Sequence, residues 1–133
     1  MSEYYILDSY AILTLLQDEQ GAERVKNILK DAQSAEKEVF ISLINLGEVA
    51  YIVERRWDQA RLLTVLAYLE AGPLQIAEAN YKRTLAAANL KANYQISYAD
   101  AFAAALAQEL DATLITGDPE FNSVAHLIRI EWL

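Results

Sequence analysis

Four acidic residues, Asp8, Glu48, Asp100 and Asp118, stand where a carboxylate could serve chemistry as well as structure. Asp8 ends the apolar run Tyr4-Tyr5-Ile6-Leu7, and Asp118 follows Thr113-Leu114-Ile115-Thr116-Gly117. Each has a local use, Asp8 as a helix N-cap and Asp118 as a turn residue ahead of Pro119. Asp100 closes an S-x-x-D pattern with Ser97, the form of a capping box, yet lies in a run from Ala99 to Ala107 that is nearly all small and apolar. Glu48 is the hardest to explain locally. Its helical neighbours are Ile44, Asn45, Tyr51 and Ile52, a largely apolar face, and a charge buried there needs a cation or several donors. An ion pair with Arg55 or Arg56 is the structural alternative.

Four acids brought together without lysine or arginine would repel one another and take raised pKa values. A divalent cation removes that conflict. Oxygen-only ligands favour Mg2+ or Mn2+ over zinc or copper. Such an ion, alone or in a pair, activates water and stabilises the leaving oxygen in phosphodiester hydrolysis.

Positioning these acids falls to short apolar strands alternating with helices. Tyr4–Leu7, Val39–Ile41, Leu74–Ile76, Thr113–Ile115 and Leu127–Ile130 read as strands. Helical stretches carry Ile12 to Leu16, then Val25, Ile28 and Leu29 to about Ala32, with Gly21 between them and Ser34–Glu38 as a loop. Ser42 is a plausible N-cap for a helix through Glu48 to about Arg56. Further helices are expected from Asp58 to about Glu70, stopped by Gly72-Pro73, from Glu78 to about Asn93, and from Ser97 to about Leu110. The alternation predicts an α/β fold with a mainly parallel sheet of four to five short strands, covered by helices on both faces. Ligands bind at the carboxyl edge of such a sheet, where Asp8 and Asp118 fall and towards which Asp100 points.

A chain of 133 residues, 54% hydrophobic and 23% charged, is sized for one compact domain over residues 1–133. With no cysteine, disulfide frameworks, thiolate zinc sites and cysteine nucleophiles are excluded. His126 has no histidine partner for acid–base catalysis and reads as a surface or loop residue. The glycines form neither G-x-G-x-x-G nor a P-loop. A net charge of -8 disfavours general phosphate neutralisation, though an acidic metal pocket would account for part of it and a basic partner would be attracted. The run before Asp8 is too short for a signal peptide and no stretch suits a membrane helix, so a cytoplasmic location is expected.

Taken together, Ile6-Leu7-Asp8-Ser9, Ile41-Ser42-Leu43-Ile44-Asn45-Leu46-Gly47-Glu48-Val49, Ser97-Tyr98-Ala99-Asp100-Ala101 and Leu114-Ile115-Thr116-Gly117-Asp118-Pro119-Glu120-Phe121 resemble the four blocks of the PIN-domain family, and within it the VapC-type toxins. The resemblance spans nearly the whole chain. It implies a metal-dependent endoribonuclease whose acidic pocket is Asp8, Glu48, Asp100 and Asp118, assisted by the hydroxyls of Thr116 and Ser9. It also implies a homodimer and an antitoxin partner whose terminal segment covers the site, with DNA reached only through that antitoxin. Tyr10 departs from the pattern, because relatives often carry a smaller polar residue there.

Arg55, Arg56 and Arg61 cluster beyond the Glu48 helix and could guide an RNA backbone, although exposed arginines at a helix end also serve solubility or the helix dipole. Two other functions compete. A magnesium phosphatase of the haloacid dehalogenase type would carry a second aspartate two positions after the first, where Tyr10 stands. A non-catalytic module could keep the fold only to bind a protein.

Overall fold

The computed structural model describes residues 3–34 and 36–133. Five strands form one sheet: β1 (Tyr4–Leu7), β2 (Glu38–Ser42), β3 (Gln75–Ala77), β4 (Thr113–Thr116) and β5 (Arg129–Trp132). The order is β3-β2-β1-β4-β5 and every pairing is parallel. Six α-helices connect them among the described residues: α1 (Ser9–Leu16), α2 (Ala22–Gln33), α3 (Leu43–Arg56), α4 (Gln59–Ala71), α5 (Tyr81–Asn93) and α6 (Tyr98–Leu110). A 3-10 turn, Pro119–Val124, follows β4.

The two central strands, β1 and β4, bury apolar residues on both faces of the sheet. Ile6 and Leu114 face a core built with α5 and α6, whereas their neighbours Leu7 and Ile115 face a second core built with α1 to α4. This period-2 alternation buries a parallel sheet from both sides. In α6, Ala101, Ala103, Ala104, Ala105 and Ala107 are all buried; such small side chains let the helix approach the strands and α5 closely. Arg83 clamps that pair by donating to both carboxylate oxygens of Glu109 at 3.0 Å.

Several boundaries differ from the sequence reading. The last strand lies at Arg129–Trp132 instead of Leu127–Ile130, because Leu127 N–H closes a turn onto Val124 and pairing with β4 begins at Arg129. As an edge strand it accommodates Arg129 and Glu131, the latter bonded to Arg24 of α2 at 2.5 and 2.9 Å. Helix α5 starts at Tyr81, since Asn80 and not Glu78 caps it through Arg83 N–H at 2.9 Å. Strand β3 is shifted one residue, to Gln75–Ala77, by its ladder with Phe40, Ile41 and Ser42. In the expected loop Ser34–Glu38, Ala35 lies outside the described residues and Glu38 already belongs to β2.

From the central strand β1 the chain moves one way to β2 and β3, then returns to place β4 on the other side. The sheet therefore reverses between β1 and β4, and its carboxyl edge opens a crevice at that reversal. Asp8 follows β1 there, and Asp118 stands two residues beyond β4.

Candidate active site

Asp8 is buried, at 1% exposure, and caps α1 by accepting Ala11 N–H on Oδ1 at 2.8 Å. Its other oxygen receives the Thr116 hydroxyl at 2.5 Å. Thr116 Oγ1 in turn accepts the Asp118 N–H at 3.0 Å, so the strand end of β4 holds both acids. Capping and site formation are thus not alternatives for Asp8, because a carboxylate has lone pairs for both.

Glu48 projects half-buried from α3 and receives the hydroxyl of Ser9, the residue after Asp8. One turn earlier on the same helix, the fully buried Asn45 donates to the Ala99 carbonyl at 3.2 Å, fixing α3 against the first turn of α6. Its Oδ1 has no hydrogen-bond partner among the described residues. Neither Arg55 nor Arg56 reaches Glu48; Arg55 lies over the Tyr51 ring at 5.4 Å and Arg56 over Trp57 at 5.7 Å. Arg61 stacks on Trp57 at 5.3 Å. Arg55 and Arg56 are exposed at the far end of α3, about 10 Å along the helix from Glu48, and Arg61 is exposed in the first turn of α4.

Asp100 is 5% exposed, in the first turn of α6, while Ser97 caps the helix by accepting Asp100 N–H at 3.2 Å. Asp118 caps the 3-10 turn by accepting Glu120 N–H at 2.9 Å. The carboxylate of Glu120 then accepts the Ser97 N–H and so ties this turn to the start of α6. Oxygens of Asp100, Asp118 and Glu120 lie within 4.8 Å of one another. Asp8 and Glu48 stand outside this compact trio but act on Asp100 through their charge. Glu120 was not among the residues expected from sequence; the signal was its place two residues after Asp118, which a 3-10 turn folds back onto the site.

Burial dominates the electrostatics. It pushes Asp8 up to about 7 against the lowering effect of the Thr116 and Ala11 hydrogen bonds, with Asp118 and Glu48 adding repulsion. Asp100 is pushed up to about 8 by burial first, then by Asp118, Asp8, Glu120 and Glu48. None of the salt bridges among the described residues involves a site carboxylate. An all-oxygen set with excess negative charge, three of whose carboxylates approach within 4.8 Å, suits a hard divalent cation.

His126 is exposed and packs on Tyr94 at 5.5 Å, away from these acids. Gly117, between Thr116 and Asp118, permits a close approach: a Cβ there would sit 2.4 Å from the Tyr10 ring.

A parallel sheet with acids at its reversal point defines an α/β protein with a candidate metal site. The PIN domain family model matches residues 5–127, and the chain belongs to that family. Solved structures share the fold. The VapBC complex of Salmonella typhimurium bound to DNA is 20% identical, covers 96% of each chain and gives a TM-score of 0.73. The DNA-bound VapBC2 of Rickettsia felis is 20% identical over 96% of this chain and 97% of that one, with a TM-score of 0.72. VapC20 of Mycobacterium tuberculosis, described as a sarcin-ricin loop cleaving toxin, is 15% identical over 90% and 94%, with a TM-score of 0.70. Among curated proteins no relative matches.

Proposed function

We propose that this protein is a metal-dependent endoribonuclease and the toxin half of a toxin–antitoxin pair. The observation that carries the reading is the approach of Asp100, Asp118 and Glu120 to within 4.8 Å, beside buried Asp8, without a neutralising salt bridge. Membership of the PIN family and likeness to a sarcin-ricin loop cleaving toxin support it.

Asp8, Asp100, Asp118 and Glu120 would hold Mg2+ or Mn2+, with Glu48 at the margin. When bound, such an ion supplies a nucleophilic water at neutral pH and countercharge for the leaving oxygen. Thr116 fixes the orientation of Asp8, and Ser9 that of Glu48. Asp8 and Asp100 give up their protons on loading, since only carboxylates ligate hard cations well. Arg55, Arg56 and Arg61 meet the RNA backbone outside the pocket.

The partner is a protein antitoxin, as in the structurally similar VapBC complexes, and any contact with DNA runs through it. A basic segment of that antitoxin suits the acidic pocket electrostatically. The toxin acts as a cytoplasmic homodimer; among the described residues no helix is long and apolar enough to cross a membrane.

The test is cleavage of labelled RNA by antitoxin-free protein in Mg2+, Mn2+ or EDTA, with folded Asp8→Asn and Asp100→Asn variants alongside. Metal-dependent cutting lost in both variants is expected. Cutting that ignores metal and both substitutions, or no cutting of any RNA offered, would sink the proposal.

A further inference from the structure

Tyr10 joins the acidic crevice to a groove that the site description leaves unused. The residue lies in the first turn of α1, two positions after Asp8, and remains 43% exposed. Its outer ring atoms lie where a side chain on residue 117 would have to begin, 2.4 to 2.8 Å from that Cβ position. Gly117 links Thr116, which holds Asp8, to Asp118, so the ring rests on the turn that carries the acids.

On its other flank Tyr10 lines a surface groove of about 410 Å3 with Leu13, Thr14, Gln17, Glu19 and Gln20. That volume falls within the ~300–1,000 Å3 range of small-ligand clefts. At the end remote from Tyr10, Gln17 accepts the Arg56 guanidinium at 2.5 Å. The groove therefore has an exposed aromatic ring beside the acids, amide side chains along it and a cationic group at its far end. An aromatic surface for a base and a cation for the following phosphates are the two elements of single-strand recognition. Leu13 and Thr14 make the lining partly apolar, and the charge of Glu19 disfavours a second phosphate track on that side.

We infer that Tyr10 is a stacking platform for a nucleobase next to the scissile phosphate, and that the α1 groove carries the single strand on towards Arg56. The inference rests on the ribonuclease reading and deepens it by naming a further substrate-contacting residue. Without a Cβ on residue 117 the ring can settle at the crevice edge; with a bulkier residue it would be displaced. Tyr10 thus selects single-stranded RNA with an unpaired base at the cut.

The experiment titrates the intact protein into single-stranded RNAs carrying one 2-aminopurine at successive positions. It is done in calcium, a hard cation with the same oxygen preference, so that binding is read apart from manganese-dependent cutting. Strong quenching at one position is expected, retained by Tyr10→Phe. Tyr10→Leu should weaken it about tenfold, the ~1.4 kcal/mol within the range of base stacking on an aromatic ring. Gly117→Ala, which displaces the Tyr10 ring without changing its chemistry, should weaken the same position. Equal quenching by the wild-type and Tyr10→Leu proteins, or none by the wild type, overturns the inference. Cleavage in manganese is scored separately. A chain that cuts RNA without Tyr10-dependent quenching removes the stacking site and leaves the nuclease standing; one that quenches without cutting removes the nuclease and keeps the stacking site.

Discussion

The Thr116 hydroxyl donates to Asp8 Oδ2 at 2.5 Å from a fully buried position, and Thr116 Oγ1 itself accepts the Asp118 N–H at 3.0 Å. One side chain therefore registers the acid after β1 against the acid after β4. Thr116→Val keeps the volume but strands both partners, at a cost of about 1–3 kcal/mol. Denaturant unfolding should show that loss, and Thr116→Ser should recover most of it. An unchanged midpoint for the valine variant would mean the bridge contributes nothing.

Stability of the metal-free protein should fall as pH rises. Burial holds Asp8 at about 7 and Asp100 at about 8, against ordinary values of 3.8, so the folded state retains protons that the unfolded chain has released. Folded protons in excess mean a negative slope of stability with pH, beginning near the ordinary carboxylate pKa and levelling off above about pH 8. Melting temperatures in EDTA should therefore decline between pH 5 and 8. In manganese the decline should shrink or reverse, because binding draws the protons off. A melting temperature that rises across this range in EDTA would contradict the burial of both acids.

Asp100→Asn removes a charge that burial and four nearby carboxylates oppose. In EDTA at pH 9 the variant should be more stable than the wild type by on the order of 1 kcal/mol or more. It should also lose most of the thermal stabilisation conferred by manganese, so its effect changes sign with metal. Calorimetry in the two buffers checks this, and a variant less stable in both would point to a structural role only.

Glu120 combines a hydrogen bond to the Ser97 N–H with a place in the carboxylate trio. Gln keeps the acceptor and removes the charge; Ala removes both. Glu120→Gln should retain stability while weakening manganese affinity several-fold, whereas Glu120→Ala should also lose about 1 kcal/mol, as for other lost caps. Manganese titration by electron paramagnetic resonance separates the two contributions. Equal manganese affinity for Gln and wild type would restrict Glu120 to capping.

Much of the scaffold was readable because local chemistry agreed with the global fold. Ser42, Asp58 and Ser97 cap the helices their positions predict, accepting Ile44, Arg61 and Asp100 N–H respectively. Strands β1 and β4 stood out as uninterrupted apolar runs, which is what burial on both faces demands. The edge strand was misplaced for the converse reason. Its charged Arg129 and Glu131 carry no run, and only the ladder with β4 defines it.

For the site, residue type and local spacing in the sequence singled out Asp8, Glu48, Asp100 and Asp118, their strand and helix settings and the all-oxygen character of any metal pocket they would form. The hydroxyls of Ser9 and Thr116 entered only through the family resemblance. Tertiary structure alone decided that Asp100 and Asp118 are joined in the compact trio by Glu120, while Asp8 is held aside by Thr116 and Ala11. It also decided that Arg56 turns to Gln17 instead of Glu48, and that Tyr10 lies on Gly117. Such contacts join residues up to 108 positions apart. Which distant groups meet depends on strand order and on the closeness of α6 to the sheet, and neither is written in any local window of the chain.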